Sequence, residues 1–176
     1  MLNKAVRMYG QNDLRLDTFE LPEIKDDEIL VKVISDSICM SSYKAALQGS
    51  NHKRVPDNIS EHPAIIGHEF CGLIEKVGAK WADKFTVGEK FTIQPAISYK
   101  GTLMTPGYAF EYCGGDSQHA ILLPEIMEQD CLLDYKAKEF FYGSLSEPLS
   151  CIIGTFHAQY HTKPGCYVHE MGIREG

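Results

Sequence analysis

Apolar and polar residues alternate along Lys4 to Met8 and again along Leu14 to Phe19, the period of two that turns one side of a strand toward a core. The pattern returns over Glu28 to Ile38, where Ile29, Val31, Val33 and Ser35 share a face. Shorter apolar runs at Cys71 to Val77, Lys90 to Gln94 and His119 to Leu123 are set off by glycine and proline, and predict further strands. Ser41 to Leu47, with Ala45 and Ala46, predicts a short helix that Gly49 stops. Toward the C-terminal end the period changes. Phe140, Phe141, Leu145, Leu149, Ile152, Ile153 and Phe156 recur at helical spacing, with Pro148 at a helix start or kink and Glu147 in the first turn. Many short strands and one late helix predict a mainly β fold with some α, a barrel or a sandwich. The segment Gly101 to Asp116 carries four glycines and one proline and reads as a long surface loop.

Composition narrows the function classes. The 176 residues, 44% of them hydrophobic, suffice for one ordinary core. The net charge of −7 is spread over mixed segments without a basic stripe, which argues against a nucleic-acid partner. No stretch reaches the roughly 20 apolar residues of a membrane span, and the start lacks a signal-peptide apolar region, so a soluble cytoplasmic protein is expected. Six cysteines without a CxxC pair point to reduced thiols or a metal, and Cys71, beside Phe70 and Leu73, reads as core.

The sharpest local signal is Gly67-His68-Glu69-Phe70-Cys71-Gly72. A HExxH zinc protease would need histidine at position 72, where Gly72 stands. Glycines flanking His68 and Glu69 predict instead a tight turn entering a strand, where adjacent side chains can converge on one ion. Zinc accepts thiolate, imidazole and carboxylate, and Cys39, His68, Glu69 and Glu147 supply such a set. Each has a plainer reading: Cys39 as core, His68 as a hydrogen-bonded structural residue, Glu69 behind a bound water, Glu147 as a helix-terminal charge. His157 and His161 are four apart but lack an accompanying cysteine or carboxylate, and read as ordinary helix residues. Lys44, Lys53 and Arg54 either hold a substrate phosphate or form a solvated charged loop. Tyr43 either packs or reaches a sugar hydroxyl, and Trp81 packs.

The ordered set of Cys39 at a strand end, Gly67-His68-Glu69 opening a strand, Val87-Gly88-Glu89-Lys90 opening another, and Glu147-Pro148-Leu149-Ser150 resembles the zinc-dependent medium-chain dehydrogenases, on their sorbitol dehydrogenase side. Glu23 to Ser37, Lys44-Ala45-Ala46-Leu47 and His52-Lys53-Arg54-Val55-Pro56 resemble the sorbose-1-phosphate reductase branch, and the likeness covers nearly the whole chain. It implies a GroES-like partial β-barrel catalytic domain over residues 1–160. It also implies a connector, 161–176, leading toward a Rossmann domain that is missing from these residues, which contain no G-x-G-x-x-G. The resemblance further implies one catalytic zinc on Cys39 and His68, with Glu69 and Glu147 completing or exchanging its coordination. Ser41 would pass the substrate proton. The substrate would be a ketose or ketose phosphate interconverted with a polyol, the hydride carrier NAD(P), and the full-length enzyme a homo-oligomer. Ser42 and Lys44 stand where aspartate and histidine are common in the family. Residues 94–118 hold only Cys113 in place of a four-cysteine lobe, so no structural zinc is expected. A zinc-binding scaffold of the same fold without redox activity is the alternative.

Overall fold

A computed structural model describes residues 1–159. The chain opens with a hairpin of β1 (Leu2–Gly10) and β2 (Asp13–Glu20), paired antiparallel from Leu2 opposite Glu20 to Gly10 opposite Asp13. Asn12 closes the turn at φ 55°, a conformation that asparagine tolerates better than most residues. A two-residue strand, β4 (Ala64–Ile65), joins the other edge of β1 and makes a three-stranded sheet in the order β2-β1-β4. The second sheet has five strands. They are β3 (Ile29–Asp36), β5 (Phe70–Val77), β6 (Lys90–Ile93), β7 (His119–Leu122) and β8 (Leu132–Asp134), in the order β7-β3-β5-β6-β8. All of their pairings are antiparallel.

Alternation does what the sequence predicts. Ile29 and Val31 of β3, Phe70 and Ile74 of β5, Phe91 and Ile93 of β6, and Ala120 and Leu122 of β7 bury together in the main core. Each of these side chains larger than alanine contributes roughly 1.5 to 3 kcal/mol when taken out of water. Trp81 packs against this cluster and donates its indole N–H to the Asp27 carbonyl, as a packing residue should. A second cluster, around Met8, Ala45, Ile66 and Tyr108, lies where the three-stranded sheet meets α1 (Met40–Gln48). Gly49 ends α1 with φ 52° and an N–H to the Ala45 carbonyl, as expected of a C-terminal glycine.

Three elements have no counterpart in the sequence reading: β4, β8 and the short helix α2 (Pro124–Glu128). The predicted late helix is two, α3 (Phe140–Ser144) and α4 (Ser146–Gln159), with Glu147 and Pro148 in the first turn of α4. Leu145, Leu149, Ile152, Ile153 and Phe156, which follow the helical period, are all roughly half exposed. His161 and the expected connector 161–176 lie outside the described residues. Among the described residues no helix is long and apolar enough to cross a membrane.

The segment Gly101 to Asp116 is a loop but not a surface loop: Thr105, Tyr108, Ala109 and Cys113 are buried. Its glycines are the reason. A Cβ at Gly107 would overlap the Gly67 carbonyl, one at Gly114 the Ile65 carbonyl, and one at Gly115 the Asp36 carboxylate. Glycine here lets backbone lie directly on backbone, and this carries Tyr108 into the interior.

Candidate metal centre

Strand β3 ends at Asp36, and the chain turns through Ser37 and Ile38 to Cys39, the N-terminal cap of α1. The Cys39 carbonyl accepts the first helical N–H groups, from Ser42 and Tyr43, while its side chain makes no capping bond. The thiol is thereby left free for another partner. On the neighbouring strand, Gly67 at φ 86° turns the chain so that His68 and Glu69 emerge just before β5. A Cβ at Gly67 would overlap the Asp36 carboxylate and stand 2.6 Å from the Asp116 nitrogen, so only glycine fits there.

These two turns bring Cys39, His68 and Glu69 together, with one donor atom from each lying within 4.8 Å of the others. His68 and Glu69 are buried and Cys39 is half-buried. Donors sharing one tetrahedral zinc lie about 3.5 Å apart, so small adjustments would close this set around an ion. Burial holds His68 below the usual imidazole range, which keeps a ring nitrogen lone pair free. Thiol, imidazole and carboxylate are also the donors that zinc accepts, and the residues present fit the metal.

Ser41 stands beside this group, in the first turn of α1. Its hydroxyl lies 2.9 Å from Cys39 Sγ as a donor and 3.3 Å from His68 Nε2, and it accepts a hydrogen bond from the Tyr108 hydroxyl at 2.7 Å. Ser42 Oγ lies 3.3 Å from the other ring nitrogen of His68, Nδ1. Behind Glu69, Ser37 Oγ donates to its carboxylate, and Asp36 Oδ1 accepts its backbone N–H at 3.1 Å.

Glu147 is not in the tight group of three. It lines the same cleft, its carboxyl against that of Glu69 and its Oε1 3.6 Å from Cys151 Sγ. Burial, and next the contact with Glu69, hold Glu147 above the ordinary carboxylate range. Among the substrate candidates, Lys44, Lys53 and Arg54 all line this cleft, whose volume is about 360 Å³. Tyr43 is exposed and is not part of the cleft wall. Tyr108 was missed from the sequence, because a lone tyrosine in a glycine-rich loop carries no periodic signal. It nevertheless lies under the whole site, its ring 4.9 Å from that of His68 and stacked 5.7 Å from that of His52.

Residues 25–127 match the alcohol dehydrogenase GroES-like domain, and the chain belongs to that family. It is 51% identical over 170 residues to the L-sorbose 1-phosphate reductase of Klebsiella pneumoniae, covering 97% of this chain and 42% of that protein. It is 50% identical over 172 residues to the mannitol-1-phosphate 5-dehydrogenase of Aliivibrio fischeri, covering 98% of this chain and 40% of that protein. The chain therefore spans about two fifths of the length of these curated relatives. Among solved structures, 2R,3R-butanediol dehydrogenase from Bacillus subtilis superposes with a TM-score of 0.71 at 22% identity, over 92% of this chain and 48% of that one, a likeness of fold.

Proposed function

We propose that this chain is the catalytic-domain part of a zinc-dependent oxidoreductase that interconverts a ketose phosphate and a hexitol phosphate, with NAD(P) as the hydride carrier. The observation that carries the reading is the convergence of Cys39, His68 and Glu69 beside a cleft whose wall includes Cys39 and His68 together with Lys44, Lys53 and Arg54. The two relatives that act on phosphorylated sugars by name support the substrate class.

Cys39, His68 and Glu69 would hold the zinc, with Glu147 near enough to exchange into the set. When bound, zinc supplies a Lewis-acid charge to a substrate oxygen. Ser41 Oγ borders the cleft with its proton donated to Cys39 Sγ and its oxygen accepting from the Tyr108 hydroxyl; turned from Cys39 toward a substrate oxygen, that proton would be the one passed. Lys44, Lys53 and Arg54 would orient the phosphate, with charge-assisted hydrogen bonds of about 1.5 to 3 kcal/mol each where they are shielded from water.

The experiment is metal analysis and turnover on the full-length gene product. One zinc per chain is expected, lost in Cys39→Ala and His68→Ala, together with reduction of a ketose 1-phosphate by NADH or NADPH. Zinc bound without turnover of any ketose or polyol would instead favour the non-redox scaffold. Zinc retained in both variants would remove the assigned ligands.

A further inference from the structure

The three cations of the cleft are not equivalent. Lys44 and Lys53 are exposed, so each would recognise an anion as a mobile, hydrated point charge. Arg54 is half-buried, and its guanidinium carbon lies 5.5 Å from the centroid of the Tyr108 ring. A guanidinium over an aromatic face is attracted by the ring quadrupole and loses less freedom on binding an anion than a free side chain does. The Arg54 backbone is held as well, since its N–H donates to His52 Nδ1 at 3.3 Å. Arg54 also borders two cavities, the cleft with the donor group and a second of about 470 Å³ walled by Ile97, Ser98, Thr102 and Gln129, whereas Lys44 and Lys53 border the first and not the second.

Tyr108 therefore serves two ends. Its ring face carries Arg54, while its hydroxyl donates to Ser41 Oγ. With a relative solvent exposure of 2%, it cannot turn aside to serve one without the other.

We propose that Arg54 is the residue that reads the phosphate of the substrate, seated at the junction of the two cavities, and that Tyr108 is the positioning residue that fixes Arg54 through its ring and Ser41 through its hydroxyl. The proposal rests on the ketose-phosphate reading given above and names the recognising group within it. Lys44 and Lys53 contribute only a general attraction for anions.

The test uses the full-length gene product and one ketose in two forms, with and without its 1-phosphate. The readout is the ratio of their kcat/KM values, together with inhibition of free-ketose turnover by inorganic phosphate. Arg54→Ala is expected to lower the ratio by about tenfold to a hundredfold and to weaken phosphate inhibition in parallel, the loss of one or two charge-assisted bonds. Arg54→Lys, keeping charge but not the fork, is expected to recover only part of it, and Lys44→Ala to lower it by about threefold or less. Tyr108→Phe separates the two roles: the ratio stays at the parent's value while kcat falls on both substrates. Tyr108→Leu is expected to lose both. A parent that prefers the free ketose would sink the ketose-phosphate reading and this proposal with it. A parent that prefers the phosphate, with that preference intact in Arg54→Ala or lost equally in Lys44→Ala, would sink this proposal alone. If Tyr108→Phe loses the ratio as fully as Tyr108→Leu, the ring does not position Arg54.

Discussion

Asp36 stands at the end of β3 with Oδ1 accepting the Glu69 N–H and Oδ2 buried without a donor. The carboxyl facing it belongs to Asp116. Burial, and after it the Asp116 carboxylate, push Asp36 up to about 8, and burial raises Asp116 as well. A proton kept by one of the two turns the contact into a hydrogen bond and removes the orphaned oxygen. The folded value lies above the unfolded value of about 3.9, so the folded state binds the extra proton. That contribution to stability is complete below pH ~4 and is lost as pH rises through ~8. Asp36→Asn can still accept the Glu69 N–H and can donate to Asp116 without a shared proton. In chelator, the variant is expected to gain on the parent between pH 5 and pH 8 by about 1 to 3 kcal/mol, read from urea midpoints. Parallel curves would mean that Asp36 is ionised throughout. At this scale the sequence announced His68 and Glu69 through the glycines around them, and Cys39 through its place in the ordered set. It could not announce Asp36, Asp116 or Tyr108, whose roles depend on partners brought from far along the chain.

Among the elements, regular alternation made β1, β2 and β3 legible, apolar runs between glycines and prolines made β5, β6 and β7 legible, and the Ala45-Ala46 stretch before Gly49 made α1 legible. The two residues of β4 and three of β8 are too few to show a period, and they exist because β1 and β6 offer them an edge. The loop 101–116 was misplaced because glycine density marks both mobile surface and close backbone packing, and here the packing prevails. The turn before β5 can be tested against an internal control. Gly67 and Gly88 have nearly the same φ, 86° and 90°, but a Cβ at Gly88 meets nothing within 4 Å. Gly88→Ala should cost only the backbone strain, about 1 kcal/mol. Gly67→Ala should cost about 2 to 4 kcal/mol, because the Asp36 carboxylate must also move. Denaturant midpoints measure both. Equal costs would mean that the turn adapts, and that the His68-Glu69 placement does not depend on a bare backbone there.

At the scale of the whole molecule, the donors and the cation-lined cleft are present, but no phosphate-cradling glycine turn lies in the 176 residues. Calorimetric titration of this chain alone with NADH and NADPH should therefore give only heats of dilution, and micromolar binding of either would overturn the expectation. The placement of the donors has a mechanical consequence. Strand β4 belongs to the three-stranded sheet and β5 to the five-stranded one, and residues 66–69 run directly from one to the other. His68 and Glu69 thus lie where this connection enters β5, and Cys39 follows the end of β3, the strand paired with β5 in the same sheet, with Asp36 opposite Phe70. Any parting of β3 from β5 at this end alters the spacing of the three donors. An ion gripping all three would act as a rivet through this pair of strand ends, and its release rate would serve as a gauge of how firmly they are clamped.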